Sequence, residues 1–266
     1  MRLLVSVRNG HEAEAALAGG ADIIDAKDPA AGPLGAVSLP VLLDICRVTP
    51  TPHLVTAALG DAENEQTVEG MARAYAETSV RLVKLGFAGV SSIERAVSLL
   101  TAAVRGAATG SGGRCGVVAV AYADAHVVAS LAPGALTEAA SRAGAMGVLL
   151  DTADKHGPGL RDLMSQDELS AWTADAHQAG LLVAVAGKLQ AADLRFVRDA
   201  GADIAGVRGA ACEGGRTGRV TTERVRALQM LCGSTAVPDR ATRHRPTECS
   251  GSPAAPAVPD RPSVHG

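Results

Sequence analysis

The chain has 266 residues, of which 47% are hydrophobic and only 2% aromatic, and it carries a formal charge of −3. A core of small aliphatic side chains suits tightly packed parallel α/β architecture, and the charge balance offers no basic cluster to neutralise nucleic-acid phosphates. Five cysteines, Cys46, Cys115, Cys212, Cys232 and Cys249, are scattered with no CxxC pair and no histidine at ligand spacing, so they read as free thiols rather than a zinc site or disulfide framework.

The first predicted strand is Arg2–Val7, which turns polar at Arg8 and Asn9. That is far short of a signal-peptide core, and no apolar run reaches membrane-spanning length, so a cytoplasmic protein without a membrane partner is expected. Helical spacing over 11–18 follows, then a strand over 22–27, a helix over 39–47 and a strand over 53–59. The alternation continues with helices at 66–78, 92–106, 136–143, 166–179, 191–199 and 222–231, separated by strands at 81–87, 116–123, 147–152, 181–186 and 204–208. Ser165 marks a helix start, while Gly144, Gly180 and Gly201 mark helix ends. The stretches 18–24, 143–149 and 200–206 repeat one connection, in which glycine ends a helix and the chain enters a buried strand.

Eight βα units in about 230 residues match a single (β/α)8 TIM barrel, with an open doubly wound sheet as the alternative that fits the strand count less well. The barrel is expected to span 1–232. Beyond it, Pro238, Pro246, Pro253, Pro256, Pro259 and Pro262 lie among Ser, Thr, Arg and Ala without an apolar period, which predicts a disordered C-terminal tail. His244 and Cys249 fall in that tail and are given no function.

Active sites of such barrels gather at the carboxyl ends of the strands. Side chains alternate along a strand, so Ile23, Asp25 and Lys27 share one face, as do Leu149 and Asp151. Lys84 interrupts the apolar run of the fourth strand, the fifth brings Tyr122 and Asp124, and Asp154, Lys155 and His156 follow the sixth. Taken singly, Lys27 with Asp25 could be a solvated strand-end pair, Lys84 could snorkel to the rim, Asp151 could cap a loop and Lys155 could be a surface charge. Together at one barrel end, such groups are costly unless paired or used in chemistry. Neighbouring ammonium groups lower one another's pKa and supply the neutral amine that attacks a carbonyl, while carboxylates hold or exchange protons. Gly187 and Lys188 follow the seventh strand, and Arg208 and Gly209 end the eighth, where this fold commonly binds phosphate. The turn 214–219 offers a second anion contact or a simple mobile connection.

These residues also resemble a known family. The run from Ala18 to Pro29, followed by Gly32-Pro33-Leu34-Gly35-Ala36, is similar to the start of (5-formylfuran-3-yl)methyl phosphate synthase, also called 4-(hydroxymethyl)-2-furancarboxaldehyde-phosphate synthase. Val83-Lys84-Leu85-Gly86, Leu150-Asp151-Thr152-Ala153-Asp154-Lys155 and Gly206-Val207-Arg208-Gly209-Ala210-Ala211-Cys212 resemble its later motifs in order and spacing, and the similarity covers residues 1–232. The resemblance implies a barrel lyase that joins two molecules of glyceraldehyde 3-phosphate, with loss of phosphate and water, into a furan precursor of methanofuran-type cofactors. It implies that Lys27 forms the imine, that Lys84 transfers protons, and that Asp25, Asp151 and Lys155 support them. It implies no metal and no organic cofactor. Lys188 departs from the small hydroxyl residue expected in that family's loop. A class I aldolase or isomerase acting on a sugar phosphate, and a non-catalytic sensor of a phosphorylated metabolite, are the other readings of the same residues. A homo-oligomer is compatible with all three.

Overall fold

A computed structural model describes residues 1–233 of the chain. The expected tail, with His244 and Cys249, lies outside the described residues. The elements in order are β1 (Arg2–Val7), α1 (Gly10–Ala18), β2 (Ile23–Ala26), α2 (Leu39–Val48), β3 (Leu54–Asp61), α3 (Glu65–Ala76), β4 (Leu82–Gly86), α4 (Ile93–Ser111) and β5 (Gly116–Tyr122). They continue with α5 (Pro133–Arg142), β6 (Gly147–Asp151), α6 (Leu160–Leu163), α7 (Gln166–Gln178), β7 (Leu182–Val185), α8 (Leu194–Asp199), β8 (Ile204–Val207), β9 (Cys212–Glu213), β10 (Arg219–Val220) and α9 (Thr222–Cys232).

Strands β1 to β8 form a closed parallel barrel, and β8 returns to β1 through the pairs Arg2↔Ile204 to Val5↔Val207. The expected (β/α)8 architecture is therefore the one adopted. Helix starts follow from side-chain caps: the Asn9 side-chain oxygen accepts from the Glu12 N–H, and Ser165 and Glu168 cap each other at α7. The recurring helix-to-strand connection works because its glycine takes a left-handed turn, with φ of +73° at Gly144 and +84° at Gly201.

Alternation along each strand divides the core in two. Leu3, Val5 and Val7 of β1 and Ile24 and Ala26 of β2 face the surrounding helices, whereas Leu4 and Ile23 join Leu82, Val118, Leu149 and Ile204 inside the barrel. On the β7 and β8 side the interior positions are small, Ala184, Ala186 and Gly206, and all three line an open cavity of about 280 Å³.

Three features differ from the sequence expectation. Helix α4 runs on to Ser111 past its expected end at Gly106, because Gly106 and Gly110 let α4 settle directly on the Glu69 and Arg73 backbone of α3. The single turn α6 lies between β6 and α7. Strands β9 and β10 pair antiparallel and frame the turn 214–219, read from the sequence as a second anion contact or a simple mobile connection.

Candidate active site

Strand register builds the first part of the site. Ser6, Asp25 and Thr56 are direct neighbours across β1, β2 and β3, so their side chains meet inside the barrel. The Ser6 hydroxyl donates to Asp25 Oδ2 at 2.8 Å and the Thr56 hydroxyl to Oδ1 at 2.7 Å. Lys84 sits one layer higher on β4, opposite Ala58, and reaches back to place its Nζ 2.5 Å from Asp25 Oδ1. Asp25 is fully buried. Burial alone would raise its carboxyl, but Lys84 beside it, Lys27 farther off and the Thr56 hydroxyl outweigh that and hold it below the usual carboxylate range.

Asp151, at the end of β6, forms the second acid. Its Oδ1 accepts from the Lys155 ammonium at 2.7 Å and from the Thr152 N–H at 2.8 Å. Burial would push this carboxyl up, yet Lys155 and Lys27 pull it below its ordinary value. Its Oδ2 is buried without a hydrogen-bond partner among the described residues. A buried carboxylate oxygen in that condition is costly in a purely structural role.

Lys27 follows β2 by one residue, its backbone N–H still donating to Val7 C=O at 2.9 Å. Lys27 is 9% exposed and, among the described residues, its side chain makes no hydrogen bond or close ion pair. Burial depresses the amine most; the attraction of Asp151 and Asp25 opposes this and the repulsion of Lys84 and Lys155 adds to it, leaving the amine at about 8. A desolvated amine near neutrality is a nucleophile for carbonyl carbon, whereas an ordinary surface ammonium is not.

Every expected site residue lines the same cavity: Asp25, Lys27, Lys84, Asp151 and Lys155 in its depth, and Gly187, Lys188, Arg208 and Gly209 at its mouth. Gly187 has φ of +100°, and a Cβ there would press on Leu160 and Thr152. The Lys188 ammonium donates to Gly157 C=O. Arg208 occupies the mouth but is committed to the protein, bonding Glu12, Ser6 C=O, Arg216 C=O and Gly218 C=O.

The other charged residues of the strand ends do not join them. The buried Tyr122 hydroxyl donates to Asp61 at 2.8 Å, and Asp124 accepts the N–H groups of Ala153 and Asp154, fixing the loop that carries Lys155. Asp154 instead accepts from His156 N–H at 2.8 Å. Ser6, Thr56, Asp61 and Glu12 are not among the residues expected from the sequence. For Ser6 a signal exists, a lone hydroxyl on the face of Leu4. Thr56 alternates with Leu54 in the same way.

The family model for 4-HFC-P synthase matches residues 3–229. The chain belongs to that family. It is therefore an enzyme of a synthase family. It is 42% identical over 230 residues to (5-formylfuran-3-yl)methyl phosphate synthase of Methanopyrus kandleri, covering 85% of this chain and 97% of that protein. The protein of the same name from Methanocaldococcus jannaschii is 39% identical, with 87% of this chain and 100% of that one covered. Among solved structures, a 3-hexulose-6-phosphate synthase superposes with a TM-score of 0.57 at 20% identity, over 86% of this chain and 99% of that chain, which shows the shared fold alone. Among the described residues, no helix is long and apolar enough to cross a membrane.

Proposed function

We propose that the protein condenses two molecules of glyceraldehyde 3-phosphate into (5-formylfuran-3-yl)methyl phosphate. One observation carries the reading: a buried amine at about 8, without a hydrogen-bond partner among the described residues, opens on a cavity between two ionised carboxylates. The relatives' name supplies the product.

In this reading neutral Lys27 attacks the carbonyl of the first triose phosphate, and loss of water gives an imine. The imine acidifies the neighbouring carbon, Lys84 transfers the proton, and the resulting enamine attacks the aldehyde of the second triose phosphate. Asp25 holds the Lys84 side chain in place, while Asp151 and Lys155 serve the later proton transfers. Ring closure and eliminations release the furan phosphate, one phosphate and two waters, which balances the atoms of two triose phosphates. The glycine-rich turns at Gly187 and Gly209, with Lys188, hold the retained phosphate by backbone N–H groups and charge. No step calls for a metal or an organic cofactor. The substrate places the enzyme in the cytoplasm.

The test is trapping with borohydride in the presence of glyceraldehyde 3-phosphate. Wild-type protein should gain a covalent adduct on Lys27 and produce ultraviolet absorption from a furan aldehyde; Lys27→Ala should do neither. Because only the neutral amine attacks, the trapping rate should rise with pH through about 8 and then level. A Lys27→Ala protein that still forms product would remove Lys27 from the mechanism. An adduct without furan absorption would favour an aldolase or isomerase on the same barrel.

A further inference from the structure

Two arginines line the cavity mouth, Arg208 and Arg216, and they differ in what their guanidinium groups have left to donate. A guanidinium presents five N–H bonds in a fixed plane. In Arg208 every nitrogen is engaged: Nε donates to Arg216 C=O at 3.0 Å, Nη1 to Ser6 C=O at 2.9 Å and to Glu12, and Nη2 to Glu12 at 3.1 Å and Gly218 C=O at 2.8 Å. These five contacts exhaust its donors. In Arg216, Nη1 donates to Pro29 C=O at 2.6 Å and Nη2 to Gly32 C=O at 2.7 Å. Its Nε–H and one N–H on each terminal nitrogen have no acceptor among the described residues.

The placement of Arg216 gives those free donors meaning. Its backbone belongs to the turn between β9 and β10, while its two acceptors lie in the loop that leaves β2 just after Lys27. One side chain thus ties two loops of the mouth together. Asp151 and Asp28 attract it from a distance, yet it forms no ion pair with any carboxylate among the described residues. A partly buried guanidinium without a counter-ion favours an anion at that point. Gly209 packs against the Arg216 backbone, with space for a Cβ only 3.7 Å from its nitrogen, so the glycine turn after β8 and this arginine frame one pocket wall.

We propose that Arg216, rather than Arg208, is the guanidinium that receives a substrate phosphate, and that the bound phosphate orders the 29–32 loop through the same side chain. Arg208 and Glu12 are then positioning residues, which carry the Arg216 and Gly218 carbonyls and so hold the turn in place. The inference rests on the proposed use of a phosphorylated substrate.

The experiment compares wild type, Arg216→Ala and Arg216→Lys. Inorganic phosphate affinity is measured by calorimetry, kcat and KM with glyceraldehyde 3-phosphate, and amide hydrogen exchange over residues 28–35 with and without phosphate. Arg216→Ala should weaken phosphate binding about tenfold or more and raise KM by a similar factor, with a smaller change in kcat. Phosphate should slow exchange over 28–35 in wild type and fail to do so in Arg216→Ala. Arg216→Lys keeps the charge but not the fork, so it should recover part of the affinity and little of the loop protection. Unchanged phosphate affinity in a folded Arg216→Ala protein overturns the proposal, as does phosphate binding in wild type that leaves 28–35 unprotected. If Arg216→Ala does not fold, Arg216→Lys with wild-type affinity and protection overturns it instead. Phosphate binding that depends on Arg216 in a protein that makes no furan would defeat the reaction assignment and leave this inference standing. Furan production with an unchanged KM in Arg216→Ala would do the reverse.

Discussion

Lys84 and Asp25 show how strongly one buried pair depends on both members. The Lys84 side chain is 5% exposed and Asp25 is fully buried, so water cannot replace either partner. Removing one charge from such a pair typically costs about 3–5 kcal/mol, whereas replacing both with apolar groups of similar size is often near neutral. Lys84→Met should therefore lower stability by about that amount, and Lys84→Met combined with Asp25→Leu should recover most of it. Urea unfolding midpoints of Lys84→Met, Asp25→Leu and the double variant measure this, and a double-variant loss equal to the sum of the two single losses would show that the two charges do not depend on each other. These variants lose turnover in the proposed mechanism, so stability and activity separate here.

At the scale of elements, α3 and α4 pack backbone against backbone because α4 presents glycine where it crosses its neighbour. A Cβ at Gly106 would fall inside contact distance of the Glu69 carbonyl oxygen, and one at Gly110 would meet that of Arg73. Glycine usually weakens a helix interior by up to about 1 kcal/mol, but here it permits backbone contact that a larger residue blocks. Gly106→Leu should force the helices apart and cost about 1–3 kcal/mol or more. Its kcat/KM per folded molecule should stay at the wild-type value, since neither helix lines the cavity. Thermal unfolding and steady-state rates check this; a loss of activity larger than the loss of folded protein would mean that the α3–α4 interface communicates with the site. Helix α4 continues past Gly106, where its predicted span ends, because tertiary packing against α3 favours glycine at that point.

For the molecule as a whole, the site sets the pH dependence of stability at both ends. Asp25 and Asp151 are held below the usual carboxylate range in the fold, so the stability they contribute is present above the unfolded value of 3.8 and fades as pH falls through their folded values. Lys27 behaves oppositely. Its amine is at about 8 when folded and at 10.5 when free, so between those values the unfolded chain binds more protons and stability rises with pH. Below pH 8 the full penalty of burying the ammonium remains, on the order of 3 kcal/mol. Lys27→Met should therefore be more stable than wild type at pH 7, and the difference should shrink by pH 10. Urea midpoints at the two pH values test this, and a Lys27→Met protein no more stable at pH 7 would show that the amine is not held at a cost. In the proposed mechanism, a group that lowers stability is the expected signature of a working site.

The alternation of strands and helices, the closed barrel they imply and the inward face shared by Asp25 and Lys27 were all legible in the chain, because a period of two in a strand is a local property that each segment carries alone. The same alternation turned Asp151 inward beside Leu149. Which inward groups touch is a different matter. Ser6 and Thr56 meet Asp25 only through the register of β1 to β3, Lys84 reaches it only because β4 is staggered upward, and Arg208 is claimed by Glu12 from the opposite end of the chain. Closure of the barrel brings those residues together, and with it decides which arginine keeps donors for a ligand; no stretch of sequence contains that information by itself.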